Sequence, residues 1–276
     1  MYNSSHLEAL RAELDECRRL AETNPAAYEP YVAAACFWLG CGLMATNHMA
    51  EAEAQYRDAL AIYHRLAETN PVEYEPGVAE ACNRLGYLLS DTNRMAEAEE
   101  QYRAALDTYR QWAKRNPAEY CEEYDYVAWA CYDLADFLFN TNHMAEAEEL
   151  YREALAIYRQ RAKMDPELYE QDVAMICNDL AVLLSVTNHL DEAEERFREA
   201  LTIRRRLAEE VDPDEYEAGV ANTCFNLGLL LSDANRNDEA KPLLEEAVQL
   251  WDKYPDHSVD AQDARDMLGE LTKGGD

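Results

Sequence analysis

Three observations predict an all-α solenoid of about 12 antiparallel helices. The first is composition. Nine glycines and nine prolines in 276 residues, against abundant Ala, Glu, Leu and Arg, is the balance of a helical chain. The second is a recurring octet. TNHMAEAE stands at 46–53 and again at 141–148, with TNRMAEAE at 92–99, TNHLDEAE at 187–194 and a worn copy, ANRNDEAK, at 234–241. The third is periodicity, because apolar residues between the octets fall at three- and four-residue steps.

The octet asparagines, Asn47, Asn93, Asn142, Asn188 and Asn235, are separated by 46, 49, 46 and 47 residues. A second marker keeps step with them: Asn24-Pro25, Asn70-Pro71, Asn116-Pro117, Asp165-Pro166 and Asp212-Pro213. A tyrosine follows each proline by three residues, at Tyr28, Tyr74, Tyr120, Tyr169 and Tyr216. A fixed period of this length is the signature of stacked helical hairpins. Three residues are gained around 121–126 and one before Asp212.

The elements follow in order as one continuous array over 1–276. Residues 6–22 align with a second helix whose first is missing. Five hairpin units are expected at 28–69, 74–115, 120–164, 169–211 and 216–253. In the second unit, Val78, Ala81, Cys82, Leu85, Leu88 and Leu89 share one face of a helix expected at 75–91. Ala98, Tyr102, Ala105, Leu106, Tyr109 and Trp112 do the same for 95–114. Pro71 and Pro117 are expected to stop the second helices, since proline cannot continue one. Residues 257–271 read as a closing helix, and Asp260, Asp263, Asp266 and Glu270 make it polar enough to face water. Within the octet, asparagine is expected to take the left-handed conformation that ends the first helix. The acids behind it favour the positive end of the second helix.

Net charge is −31, from 25 basic and 56 acidic residues. Such a surface repels phosphate backbones and anionic membranes, so neither nucleic acid nor membrane is expected as a partner. No apolar run of membrane-spanning length occurs, and the start lacks the pattern of a signal peptide. A cytoplasmic location is the expectation. Of eight cysteines, Cys36, Cys82, Cys131, Cys177 and Cys224 recur at one repeat position. That is the pattern of reduced, packed side chains rather than of a metal site.

The letters inside each hairpin resemble the tetratricopeptide repeat (TPR). The second unit shows Leu85-Gly86, Leu89, Ala98, Tyr102 and Ala105 in that register. The first shows Leu39-Gly40, Leu43, Ala52, Tyr56 and Ala59. The same register holds at Leu134-Ala135, Leu180-Ala181 and Leu227-Gly228. Two departures stand out: cysteine takes the family's large first position, and the period is about 46 rather than about 34. Longer units are similar to those of kinesin light chain, whose Asn-Asn-Leu-Ala is most nearly matched by Asn178-Asp179-Leu180-Ala181. The resemblance implies a right-handed alpha-alpha superhelix in which first helices line a concave surface.

Catalytic, cofactor-binding and metal-ligating residues are not expected, and no cofactor is called for. Phosphate-binding glycine loops, zinc-protease and nucleophile-elbow motifs are missing. His48, His143 and His189 lie on different hairpins, about 10 Å or more apart, which is too far to share one ion. Most paired carboxylates are spaced for helix salt bridges, as in Glu53 with Arg57, Glu99 with Arg103, Glu148 with Arg152 and Glu194 with Arg198.

Binding remains. Carried onto this sequence, the family's inner positions are Phe37 and Trp38 in the first unit, and Asn83, Arg84, Tyr87 and Asp91 or its neighbour in the second. The third unit supplies Trp129, Tyr132, Asp133, Asp136 and Phe139. The fourth supplies Asn178 and Asp179, and the fifth Asn222, Phe225 and Asn226. Aromatic faces give contact area at low entropic cost, and asparagines both donate to and accept from a peptide backbone. With only Arg84 opposing the acids, a protein or peptide with basic or apolar anchors is the expected partner. The function expected is a non-enzymatic scaffold. The alternatives are a structural or self-associating module, or the sensor part of a larger protein.

Overall fold

The computed structural model describes residues 4–115 and 123–273. The Asn116-Pro117 marker, Tyr120 and the start of the inserted stretch at 121–122 lie outside the described residues. Twelve α-helices and no strand occur among the described residues, which is the all-α class that the repeat predicts. Contacts divide the chain into two compact units, Met1–His143 and Met144–Asp276. The first holds α1 (Ser4–Thr23), α2 (Pro25–Ala45), α3 (Met49–Ala67), α4 (Pro71–Asp91), α5 (Met95–Arg115) and α6 (Glu123–Asn140). The second holds α7 (Met144–Ala162), α8 (Pro166–Val186), α9 (Leu190–Glu210), α10 (Pro213–Asp233), α11 (Asn237–Trp251) and α12 (Ser258–Lys273). Within each unit every helix packs on the next in sequence.

The hinge of each hairpin is the octet asparagine. All five adopt left-handed backbone, with φ of 63°, 61°, 66°, 64° and 58°. The backbone N–H of His48 donates to the Leu43 carbonyl at 2.8 Å and that of Asn47 to Met44 at 3.0 Å. This Schellman pairing satisfies carbonyls that the helix end leaves open. Arg94 to Leu89, His189 to Leu184 and Arg236 to Leu231 repeat it at 2.8 Å.

The prolines act differently from the expectation. Helix α3 ends at Ala67, before Pro71 is reached, and Pro71 is the first residue of α4. Pro25 and Pro166 likewise open α2 and α8, and Pro213 opens α10. Proline suits this position because its missing N–H would have no partner there. The helix expected at 75–91 therefore gains a turn at its start. Asp165 caps α8 by accepting the Leu168 N–H at 3.2 Å.

Small residues bring paired helices together. A methyl group added to Gly40 would sit 2.8 Å from the Tyr56 ring, and one on Gly228 would sit 2.9 Å from Leu244. Tyr56, Tyr102 and Leu244 are buried beneath these glycines and Gly86. The five repeated cysteines are buried free thiols. Burial pushes Cys36 up to about 11 and Cys82, Cys177 and Cys224 up to about 12, so they remain protonated and unreactive near neutrality.

The abundant carboxylates hold the stack together. All four expected pairs form: Arg57 with Glu53, Arg103 with Glu99, Arg152 with Glu148 and Arg198 with Glu194, at 2.7–2.9 Å. A second set crosses between helices. Arg11 reaches Glu51 at 2.8 Å and Arg18 reaches Asp58 at 3.3 Å, both from α1 to α3. Arg152 reaches Glu192 at 2.7 Å and Arg159 reaches Glu199 at 2.6 Å, both from α7 to α9. Single surface pairs contribute under about 1 kcal/mol, so this ladder matters through its repetition. The bonds from α1 span the same 40 residues as those from α7.

Candidate interaction face

In the first unit the first helices α2, α4 and α6 present the candidate residues. Trp38 is 54% exposed and Tyr87 57%, so both rings are open to a partner. Arg84 and Asp91 are exposed as well. Phe37 is not on this surface. It is 4% exposed, with its ring 5.9 Å from Tyr56 and 5.3 Å from Trp38. Its ring turns toward the second helix of its own hairpin, α3, and fills the hairpin core.

Asn83 is half-buried, and its Nδ2 donates to Asp133 Oδ2, tying α4 to α6. Burial pushes the half-buried Asp133 carboxyl up to about 6. The Asn83 hydrogen bond and the Arg84 charge oppose that rise, and Asp136 adds to it. Trp129 is 46% exposed, and Tyr132 stands beside it with ring centroids 6.4 Å apart. Asp136 is exposed and Phe139 is half-buried. Two residues of this face were absent from the sequence expectation. Glu80 sits five residues before Leu85, the place Trp129 holds in the next unit. Its carboxylate is open to solvent, yet the surrounding protein raises its pKa against the pull of Arg84. Tyr126 is 47% exposed and stacks on Tyr109 at 5.5 Å.

A cleft of about 180 Å³ opens between the C-terminal ends of α4 and α6. Tyr87, Ser90 and Asp91 form one wall, and Asp136 and Asn140 the other. Tyr102 and Phe137, 5.3 Å apart, lie at its base.

The second unit has the same face on α8 and α10 with different chemistry. Asn178 is 4% exposed and so does not line the open surface. Its amide donates to Asp179 at 3.0 Å and accepts from Asn226 at 3.4 Å, and Asn226 also donates to Asn222 at 3.2 Å. The Asn226–Asn178 bond joins α10 to α8, and with the Asp179 bond it holds the first of the three amides inward. Asn222 is exposed, and Asp179 and Asn226 are half-buried. Phe225 is half-buried, 5.5 Å from Trp251. A cleft of about 220 Å³ corresponds in repeat position to that of the first unit. Val182, Val186, Leu190 and Leu229 line it over Phe197, with Asp233 at the rim.

The octet histidines are exposed, and His48, His143 and His189 each meet the threonine two residues earlier through Nδ1, at 3.0–3.1 Å. They belong to the hinge. Among the described residues, no group of three or more His, Cys, Asp or Glu is placed to hold a metal ion. No described helix is long and apolar enough to cross a membrane.

Comparison with known proteins matches the tetratricopeptide repeat model over 78–111, 127–162, 173–214 and 220–253, more than half of the chain. No curated protein matches in sequence. Among solved structures, BtubC (BKLC) from P. vanneervenii is similar at TM-score 0.69 and 24% identity, covering 88% of this chain and 89% of that one. A putative kinesin light chain of nearly identical TPR-like repeats from Podosopora anserina matches at 0.61 and 16%, covering 82% and 98%. YrrB, a TPR protein with an unusual peptide-binding site, matches at 0.50 and 19%, covering 91% and 97%.

Proposed function

The chain belongs to the tetratricopeptide repeat family, and on that premise we propose that it is a non-enzymatic scaffold whose first-helix face holds an extended segment of a partner protein. The observation that carries this reading is the pairing of open aromatic rings with carboxylates on α4 and α6. Tyr87 and Trp129 supply rigid contact area, and Glu80, Asp133 and Asp136 supply negative charge against the single Arg84. A segment with basic anchors suits the first unit, and one with apolar anchors suits the aliphatic cleft of the second. The amide row of Asn222 and Asn226 offers donors and acceptors to an extended backbone. YrrB, with the same fold, has a peptide-binding site. The buried reduced cysteines accord with a cytoplasmic setting.

Replacing Trp129 and Tyr132 together with alanine tests the reading. Peptide capture from an array is expected to fall while the circular dichroism spectrum is kept. Undiminished capture would overturn it. Self-association is a second reading, favoured by exposed Met164, Leu168 and Val211 near the outer helix ends of the second unit. A concentration series by light scattering tests it, and a constant mass would exclude it.

A further inference from the structure

We propose that the cleft between the ends of α4 and α6 is an anchor pocket for a basic side chain, a lysine or arginine of the bound segment. This rests on the peptide-binding reading above and names the chemistry of one subsite. Three independent features converge there. The first is electrostatic: Asp91 and Asp136 face the cleft from opposite walls, and no basic residue lines it. The turn arginine closest in sequence, Arg94, is engaged by Glu53 and Glu97.

The second is the backbone. Ser90 and Asp91 end α4, and Asn140 ends α6, so two helix C-termini converge on the opening. The negative end of a helix dipole favours a cation and is commonly met by Lys or Arg in the last turn. Neither α4 nor α6 carries one there, whereas α3, α5 and α7 do. The cation that these two helix ends would favour is thus not supplied by their own last turns.

The third is shape. Tyr87, 57% exposed, and Met95, 40% exposed, offer apolar surface for the methylene stem of a long basic side chain. The Tyr87 ring face also attracts a cation. The Ser90 hydroxyl and the Asn140 side-chain carbonyl are further acceptors on the walls. The equivalent cleft of the second unit carries Val182 and Val186 where Tyr87 and Asp91 stand, and Leu229 and Asp233 where Asp136 and Asn140 stand, so it retains one carboxylate. The repeat fold alone therefore does not produce this polarity.

The test uses the full chain, labelled with ¹⁵N, and two small probes: Nα-acetyl-lysine N-methylamide and its norleucine analogue. The lysine probe is expected to give saturable shifts at the amides of Ser90, Asp91, Asn140 and Thr141, and the norleucine probe to bind about tenfold more weakly or worse. The variant Asp91→Asn with Asp136→Asn changes two exposed side chains and is expected to keep its fold and lose the lysine response. Absence of local saturation, equal binding of norleucine, or an unchanged response in the variant would overturn the proposal. Peptide arrays separate this result from the broader reading. Array ligands that bind the variant within about twofold of the wild type would refute the anchor and leave the scaffold reading standing. A saturable lysine response with no array ligand would support the anchor and refute the extended-segment reading.

Discussion

At matching places in the repeat, α5 of the first unit packs Tyr109 and Trp112 where α9 and α7 of the second bury Arg204 and Arg161, although α7 keeps a buried ring, Tyr158, at the Tyr109 place. In the first, Tyr109 is buried and stacks on Tyr126, and Trp112 meets Tyr126 edge-on at 5.8 Å. In the second, Arg204 takes the place of Tyr109, and Arg161 that of Trp112. Arg204 donates to Thr223 Oγ1 at 2.6 Å and to the Gly219 carbonyl at 2.9 Å. Arg161 donates to the Tyr169 hydroxyl at 2.5 Å and lies 4.8 Å over its ring. The open faces differ in the same way: carboxylates and large rings on α4 and α6, amides and aliphatic side chains on α8 and α10. One hinge, one ladder of ion pairs and one set of small residues support both. The shared positions set the backbone, and the positions between them are left to carry specificity.

The largest expected effect separates the two buried clusters. Tyr109→Ala removes a packed ring and is expected to cost about 3–5 kcal/mol. Arg204→Met replaces a buried charge with an apolar chain of similar length and is expected to change stability by no more than about 1 kcal/mol, in either direction. Chemical denaturation measures both, and equal large losses would erase the contrast.

Next comes Asp133. Its folded pKa, about 6, lies above its usual value, so the folded state holds the proton more tightly than the unfolded chain. Its contribution is favourable below the unfolded pKa and is lost as pH rises through about 6. Asp133→Asn keeps an acceptor for Asn83 and is expected to raise stability at pH 7 by on the order of 2 kcal/mol, and by little at pH 4. Melting curves at the two pH values decide it, and an equal gain at both would point to packing instead. The second unit has Asp179 at this place, hydrogen-bonded to Asn178 within its own helix.

Trp129→Ala is smaller in stability and is specific to binding. It is expected to weaken a captured peptide by about 1–2 kcal/mol while leaving the fold within about 0.5 kcal/mol of wild type. Met175 is its counterpart in the second unit, and loss of affinity from Met175→Ala alone would move the site there. The smallest effect should be common to both units. Asn93→Ala and Asn188→Ala force alanine into φ of 61° and 64° and are expected to cost about 1 kcal/mol each. Glycine at either position should be tolerated. Unequal costs would show that the hinges are not equivalent.

Much of this fold was legible because the repeat restates it. Five copies of Asn at spacings of 46 to 49 residues reveal a hinge, and Gly or Ala after each repeat leucine reveals close helix packing. The start of the first helices was missed. Proline ends a helix and also begins one, and the local pattern at Pro71 does not say which until the end of α3 is seen at Ala67. The site was less legible. Phe37 and Trp38 are neighbours of similar chemistry, and only the turn of α2 decides that one is buried and the other open. Asn178 reads as a polar surface residue, but bonds with Asp179 and Asn226 hold it inward. Glu80 was findable from its register with Trp129. The burial of Arg161 and Arg204 was not, because both look like surface charges on amphipathic helices.

The most direct test is a calorimetric titration of the full chain with a library-derived basic peptide and its charge-reversed acidic counterpart. Saturable binding of the basic peptide is expected, weakened when Asp91 and Asp136 are changed to asparagine, with little binding of the acidic one. Tighter binding of the acidic peptide would contradict it.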